Sequence, residues 1–211
     1  PYIFRAYRKE KFDVLRIHSP YFLGIAAFIF KIFYPKVPVV ATYHLTERGL
    51  FFNLINRSIA KMYDQSIAVS NFVKNWLGKK FGVNPRKVTV IYNGVDKDFR
   101  PQKKNRVLVK KYDLREKIVL LYMGLLIERK NPIFLLEFFQ ILKNKYPNIA
   151  LLICGRGPLE EKMKTIIKQR KIKDVIFAGK VKGKNKVDHN NLCDIFVLPS
   201  KNEGFGLVIA E

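Results

Sequence analysis

The chain has 211 residues, of which 40 are Lys or Arg and 17 are Asp or Glu, so its net charge is +23. Its 48% hydrophobic content allows sizeable cores. The charge attracts polyanions such as nucleotide phosphates, anionic membranes or nucleic acid, unless the lysines serve solubility alone. The two cysteines, Cys154 and Cys193, lie in apolar runs without CxxC spacing, which argues against a disulfide framework and against a zinc site and implies a reducing cytoplasm.

Apolar strand-like runs alternate with amphipathic stretches along the chain, and this alternation predicts parallel α/β sheets. The predicted strands are, in chain order, Val14–His18, Val37–Thr42, Ser66–Val69, Val88–Ile91, Ile118–Met123, Ile149–Cys154, Val175–Ala178 and Ile195–Leu198. The clearest predicted helices are Phe22–Phe33, Asn71–Phe81, Pro132–Lys145 and Leu159–Arg170, the last with Pro158 at its first helical position. The pair Asn93-Gly94 predicts a tight turn.

The longest apolar run extends from Tyr21 to Phe30 and continues past Lys31 to Tyr34. It is too short to span a bilayer. We interpret it as a buried helix of an α/β domain, and the alternative is a helix that lies at a membrane interface.

The composition changes near Asp98 to Arg106, where charged residues and a proline replace apolar ones. We therefore predict two domains, residues 1–99 and residues 100–211. Two complete domains of roughly 100 to 200 residues each would usually make a longer chain, and this one begins with Pro1 and ends inside a presumptive helix. We expect the first domain to lack its first strands and the second its last elements.

Two loops that follow predicted strands carry residues suited to a phosphate-bearing ligand. After Ile118–Met123, Gly124 permits close backbone approach, and Arg129 and Lys130 supply cations. After the last predicted strand, two glutamates flank a Gly-Phe-Gly turn in Glu203-Gly-Phe-Gly-Leu-Val-Ile-Ala-Glu211. A glycine turn before a helix presents N–H groups to anions, and carboxylates accept hydrogen bonds from hydroxyl groups.

The last nine residues resemble the Glu-x7-Glu signature of the family 4 retaining glycosyltransferases. Three further stretches match that family in the expected order: IAVSNFVK at 67–74, VIYNGVD at 90–96 and YMGLLIERKNP at 122–132. The resemblance extends from about Phe12 to Glu211, with looser matches in the N-terminal part. It implies the GT-B fold, in which two Rossmann-like parallel-sheet domains face a cleft.

The resemblance implies a site for a nucleotide-diphosphate sugar. In it, Glu203 would hold sugar hydroxyls near the reacting carbon, Lys130 would bind the diphosphate, and His44, after a predicted strand, would orient the sugar. The further donor-binding residues implied are Gly124, Arg129, Lys182, Gly204, Phe205, Gly206, Leu207 and Glu211, the last through the ribose hydroxyls. The chain departs from the family pattern at Leu125, where a basic residue is usual, and at Asn131, where glycine is usual. Either Arg129 replaces the missing cation or diphosphate binding is weaker.

Other residues in suggestive positions are interpreted as structural. Gly155 and Gly157 form a turn between a strand and a helix, and Ser70 reads as a helix N-cap rather than a nucleophile. His189 lies in a polar stretch and is interpreted as exposed. His18 also ends a predicted strand, and it matches the family less closely than His44 does.

We therefore predict a retaining glycosyltransferase that transfers a sugar from a UDP-sugar or GDP-sugar to a glycan or lipid-linked acceptor. It is expected to need no metal or other cofactor, and to act in the cytoplasm or peripherally at the inner face of the cell membrane. The alternative is a degenerate or truncated non-catalytic relative that binds nucleic acid or anionic membranes; Leu125 favours it and the Glu203 to Glu211 spacing opposes it. For the enzyme, nucleic acid is not an expected partner.

A second enzymatic alternative is a phosphorylase-like GT-B enzyme with a pyridoxal cofactor, for which the sequence shows no Schiff-base lysine motif. No metal-binding spacing of His and carboxylate residues and no GxxxxGK[ST] loop occurs. We expect the chain alone to have little or no activity.

Overall fold

The structure, a computed structural model, describes residues 2–18, 20–44 and 57–211. The chain divides into two compact units, of which the first comprises Pro1–Gly94 with Glu203–Phe205 and the second comprises Val95–Asn202 with Gly206–Glu211. Within these described ranges each unit contains a four-stranded sheet, and every strand pairing is parallel. The predicted α/β class is therefore confirmed.

The first unit is built on strands that pair in chain order, β1 (Leu15–His18), β2 (Val39–Tyr43), β3 (Gln65–Ala68) and β4 (Val88–Val90). Its helices are α1 (Tyr2–Lys9), α2 (Pro20–Phe33) and α3 (Asn71–Phe81), and residues 57–62 are also helical. The predicted N-cap of α3 is confirmed, because Ser70 Oγ accepts a hydrogen bond from Val73 N at 3.2 Å. Gly82 ends this helix in the left-handed region, at φ 64°.

The second unit has the strand order β7-β6-β5-β8, with β5 (Ile118–Met123), β6 (Ile149–Cys154), β7 (Val175–Gly179) and β8 (Ile195–Phe196). Its helices are α4 (Arg106–Lys111), α5 (Pro132–Lys145), α6 (Glu160–Arg170), α7 (Lys184–Asn190) and α8 (Leu207–Ala210). All six residues of β6 are buried, since apolar clusters cover both faces of the sheet. This burial explains why β5 and β6 read as continuous apolar runs.

All eight predicted strands occur, and the main disagreement concerns the last one. The prediction was a strand over Ile195–Leu198, whereas β8 contains only Ile195 and Phe196, and Ile195 is 52% exposed. The physical reason is that β8 is an edge strand whose partner in the sheet is β5. Short helices were also missed, namely α1, α4 and α7.

Two local predictions are wrong. Pro158 does not open α6, because the helix begins at Glu160, whose N–H donates to Gly157 O at 3.0 Å, so that Pro158 lies in a turn. Asn93-Gly94 forms no turn. The turn follows Asp96 instead, where the carbonyl oxygen accepts a hydrogen bond from Phe99 N at 3.0 Å and the carboxylate accepts one from Asp98 N at 3.0 Å.

The apolar run predicted as a buried helix is buried on one side only. In α2, Ala27 and Phe30 are fully enclosed, whereas Ile25, Ile29 and Ile32 are exposed. Within the described ranges, no helix combines the length and apolar character that crossing a bilayer requires.

Candidate functional site

The loop after β5 is fixed by close backbone contact with the loop after β6. Gly124 N donates a hydrogen bond to Cys154 O at 3.0 Å, and Leu126 N donates one to Arg156 O at 3.0 Å. A Cβ atom on Gly155 would lie 1.8 Å from Gly124 O, and one on Gly157 would lie 2.4 Å from Leu126 O. These glycines are therefore required for packing, which agrees with their interpretation as structural residues.

The predicted cationic residues lie in a short 3₁₀ turn, Glu128–Lys130, that leads into α5. Asn131 links the two elements in the left-handed region, at φ 53° and ψ 44°. Asn tolerates this region better than other residues with a side chain, although glycine adopts it most easily. The exchange of the usual glycine for Asn131 is therefore compatible with the turn.

Arg129 joins this turn to the segment that precedes Glu203. Its guanidinium Nη1 donates a hydrogen bond to Asn202 O at 2.9 Å, and its own carbonyl oxygen accepts one from Lys201 N at 2.9 Å. Because β5 and β8 are parallel neighbours, the loops after them leave the same edge of the sheet. The structure thus brings the cationic turn and the chain leading to Glu203 together.

Leu125 lies at the position where the resemblance implies a basic residue. Its carbonyl oxygen accepts a hydrogen bond from Tyr122 Oη at 2.8 Å, which fixes the backbone, while its side chain is 58% exposed. No cation is supplied from this position, and the next basic residues along the loop are Arg129 and Lys130.

The Gly-Phe-Gly turn, residues 204–206, lies between Glu203 and α8. Glu203–Phe205 belongs to the first compact unit, in which Ser70 Oγ donates a hydrogen bond to Gly204 O at 2.5 Å and the Phe205 ring lies 6.1 Å from the Tyr92 ring. Gly206 then adopts a left-handed conformation at φ 75° and precedes α8, which agrees with the predicted helix start.

Glu211 lies in a more constrained environment than its sequence context indicates. Its side chain is only 8% exposed, and its carboxylate accepts a short hydrogen bond from Lys186 Nζ. The same ammonium group lies 5.2 Å from the centre of the Phe99 ring, a cation–π contact. Lys186 was not predicted as a site residue, because nothing in the sequence distinguishes it within a lysine-rich stretch.

Lys182 and His189 lie on either side of the start of α7 in the second unit. Lys182 is exposed in the turn between β7 and α7, at the same end of the sheet as the β5 loop. His189, interpreted as exposed, is buried in α7, where Nε2 lies 3.1 Å from Tyr112 Oη and Nδ1 lies 2.6 Å from Asn185 O. The polar sequence around it forms a helix whose inner side carries this ring, so the interpretation was wrong.

In the first unit, the two strand-end histidines meet. His18 ends β1 and His44 follows β2; His18 Nδ1 lies 3.1 Å from His44 Nε2, and the rings are stacked at 14°. Burial lowers the pKa of His44 below its ordinary value of 6.5, and the nearby charges of His18 and Arg16 act in the same direction. The lowered pKa favours the neutral form of the His44 ring.

Neither a metal cluster nor a disulfide is found in the parts of the chain that the structure describes. No group of three or more His, Cys, Asp or Glu side chains is arranged to hold a metal ion there. Cys154 and Cys193 are free thiols, and burial raises the pKa of Cys154 to about 12.

Two curated glycosyltransferases are similar in sequence to this chain. A GDP-mannose-dependent alpha-(1-6)-phosphatidylinositol monomannoside mannosyltransferase of Mycobacterium tuberculosis is 27% identical over 175 residues, covering 80% of this chain and 46% of that protein. A UDP-Gal:alpha-D-GlcNAc-diphosphoundecaprenol alpha-1,3-galactosyltransferase of Escherichia coli is 29% identical over 231 residues, covering 99% of this chain and 57% of that protein. The chain thus spans about half the length of these relatives.

Solved structures share the fold at low sequence identity. HepE of Anabaena, crystallised in complex with UDP, matches 99% of this chain and 58% of its own with a TM-score of 0.83 at 17% identity. Sucrose-phosphate synthase of Thermosynechococcus elongatus matches 97% of this chain and 55% of its own with a TM-score of 0.78 at 18% identity. These matches support the predicted GT-B class.

The family models agree with the sequence motifs. The model described as Glycosyltransferase Family 4 matches residues 1–99, and the model described as Glycosyl transferases group 1 matches residues 104–211. The chain belongs to the glycosyl transferases group 1 family.

Proposed function

We propose that the chain provides the donor site of a retaining glycosyltransferase that transfers a sugar from a nucleotide-diphosphate sugar to a glycan or lipid-linked acceptor. The observation that carries the proposal is the pair of hydrogen bonds between Arg129 and residues 201–202, which joins the cationic turn to the segment leading to Glu203. Family membership supports the reaction class, and the relatives named for GDP-mannose and UDP-galactose support the class of donor.

The chemistry requires stabilisation of the charge that develops on the leaving diphosphate. Lys130 supplies a cation at this point, and the backbone N–H groups after Gly204 supply hydrogen-bond donors. Because the guanidinium of Arg129 donates a hydrogen bond to Asn202 O, we propose that Arg129 mainly holds the loops after β5 and β8 together. No metal ion takes part in the proposed reaction.

The sugar and the ribose would be held by carboxylates. Glu203 accepts hydrogen bonds from sugar hydroxyls beside the oxocarbenium-like centre, and the acceptor attacks from the face that the diphosphate leaves, which retains the anomeric configuration. Glu211 accepts hydrogen bonds from the ribose hydroxyls. Because a carboxylate has several lone pairs, it can do so while still bound to Lys186. His44 orients the sugar.

The test compares Lys130→Ala and Glu203→Ala with the matched controls Lys110→Ala and Glu161→Ala, which remove exposed charges of the same sign away from the candidate site. Transfer is measured with the full-length protein against a panel of UDP-sugars and GDP-sugars. We expect each site variant to lower kcat by about a hundredfold or more with the fold intact, as loss of one group that stabilises transition-state charge does. Unchanged rates in both site variants would refute the mechanism.

Donor binding separates the enzyme from a non-catalytic polyanion-binding relative. Calorimetry on the 211-residue chain compares UDP and GDP with duplex DNA at two salt concentrations. Binding of a nucleotide with a shallow salt dependence is expected for the donor site. A steep salt dependence toward DNA, with no nucleotide binding, would favour the polyanion-binding alternative.

A further inference from the structure

The hydroxyl of Ser70 makes two hydrogen bonds at once. It accepts one from Val73 N at 3.2 Å, which caps α3, and it donates one to Gly204 O at 2.5 Å. A hydroxyl has one donor and two acceptor sites, so the two bonds do not compete. Capping requires only the acceptor, and the donated proton therefore serves a second task. Ser70 and Gly204 lie 134 positions apart in the sequence, and both belong to the first compact unit.

A second contact holds the same turn from the next residue of α3. Asn71 Nδ2 donates a hydrogen bond to Tyr92 Oη at 3.0 Å, and the Tyr92 ring lies 6.1 Å from the Phe205 ring. Phe205 also packs against the buried core of the first unit, and Gly204 is buried. Two consecutive residues at the start of α3 thus hold the backbone and, through Tyr92, the side chain of the dipeptide that follows Glu203.

The bond from Ser70 fixes the direction of one backbone N–H group. Gly204 O and the N–H of Phe205 belong to one peptide unit, and because that unit is trans they point in opposite directions. A carbonyl oxygen that faces the start of α3 therefore directs the Phe205 N–H away from α3. The positive end of the α3 dipole favours this orientation of the carbonyl. The hydrogen bond also polarises the peptide, which makes its N–H a stronger donor.

We propose that Ser70 is a positioning residue for the transfer reaction. Through its bond to Gly204 O, it holds the Phe205 N–H in the orientation in which this group donates to the leaving diphosphate. The assignment rests on the proposed function, in which the N–H groups after Gly204 supply such donors. In this role Ser70 contacts neither the sugar nor the diphosphate. The role differs from the helix cap, because a cap needs only an acceptor and positioning needs the donated proton.

Three substitutions separate the cap from the donated bond. Ser70→Thr keeps both. Ser70→Asp keeps the cap, since Asp caps helices about as well as Ser, but its carboxylate has no proton to donate to Gly204 O. Asn84→Ala is the matched control. It removes another cap of the first unit, the 2.9 Å hydrogen bond that Asn84 Oδ1 accepts from Arg86 N, which lies before β4 at the opposite edge of the sheet.

The kinetic experiment measures transfer by the full-length variants at saturating donor. We expect Ser70→Asp to lower kcat by about tenfold, the effect of one hydrogen bond on the stability of a transition state. Ser70→Thr and Asn84→Ala should stay within about twofold of the unaltered protein, because both leave the donated bond in place. Urea unfolding verifies that each variant is folded under the assay conditions.

The anchoring of the turn has a readout that does not depend on transfer. Gly204-Phe205 is the one Gly-Phe pair among the 211 residues. Labelling glycine with ¹³C at the carbonyl carbon and phenylalanine with ¹⁵N therefore yields a single carbonyl–amide correlation in the NMR spectrum of the 211-residue chain. We expect this signal to shift much further in Ser70→Asp than in Ser70→Thr or Asn84→Ala, because only the first removes the hydrogen bond to the labelled carbonyl.

Three results would overturn the positioning role: full kcat in Ser70→Asp, an equal loss of kcat in Ser70→Thr, or a labelled signal that does not respond to Ser70→Asp. Failure of the proposed function is distinguishable, because Lys130→Ala and Glu203→Ala would then keep full transfer rates whatever Ser70 does. A signal that shifts in Ser70→Asp while every variant keeps full transfer would leave the Ser70 contact as a purely structural one and refute both proposals.

Discussion

The contact between Gly155 and Gly124 can be tested by adding one methyl group. In Gly155→Ala, the new Cβ atom would lie 1.8 Å from Gly124 O and 3.0 Å from Gly124 C, both backbone atoms that no side-chain rotation can move. The loop must shift, and the hydrogen bond from Gly124 N to Cys154 O is strained or lost. Overpacking costs about 1–3 kcal/mol and a lost hydrogen bond about 1 kcal/mol. We therefore expect a loss of stability of about 2–4 kcal/mol in the second unit.

Gly124→Ala provides the matched comparison, because the methyl group is added on the other side of the same contact. Its Cβ atom would lie 3.4 Å from Tyr122 Oη, an ordinary contact. We expect a change in stability within about 0.5 kcal/mol, together with weaker UDP binding if the donor approaches this backbone closely. Urea unfolding followed by circular dichroism measures the first quantity, and calorimetry measures the second.

If Gly155→Ala unfolds at the same urea concentration as the unaltered chain, the packing argument is refuted. For Gly124, an unchanged affinity for UDP with an unchanged midpoint would show that the ligand does not approach this glycine. The two variants together separate a glycine needed by the fold from one needed by the ligand.

Two further predictions concern pairs of side chains that the sequence did not connect. In His18→Gln, the pKa of His44 should rise part of the way toward 6.5, because burial still lowers it but the electrostatic effect of His18 is removed, and an NMR titration of the ring measures the change. In the unaltered chain, the lowered pKa makes stability fall as the pH drops below 6.5, since the unfolded ring binds the proton more readily. In Lys186→Met, the largely buried carboxylate of Glu211 loses its partner, so urea unfolding should show a loss of about 1–3 kcal/mol, and an unchanged midpoint would contradict this.

The strands could be predicted because their signal is local. The runs at β5 and β6 are apolar on both faces, and their predicted bounds, Ile118–Met123 and Ile149–Cys154, are those of the structure. The edge strand β8 was overextended, because an apolar run such as Ile195–Leu198 does not reveal how many neighbours it will have. The short helix α4 was not predicted, because a six-residue segment shows little helical periodicity.

The candidate site was predictable as a set of residues and not as a set of contacts. Glycine and charge patterns predict the β5 loop and the two glutamates as site residues. The bond from Arg129 to Asn202, by contrast, spans 73 positions, and the partner of Glu211 lies 25 positions away among other lysines. Such pairings depend on how strands are ordered, which local patterns do not specify.

Strand order supplies an argument for the site that is independent of family resemblance. In the order β7-β6-β5-β8, the chain proceeds from β5 outward through β6 and β7 and then returns to the other side of β5. Open parallel α/β sheets bind ligands outside the carboxyl ends of the strands where the order reverses in this way, because the two adjoining loops separate and leave a crevice. Here those loops are the ones after β5 and β8, which carry Lys130 and residues 201–202 and which Arg129 joins through its two hydrogen bonds. The cations of the β5 loop therefore lie at the position that the topology opens, which supports the proposal of a phosphate-bearing ligand there.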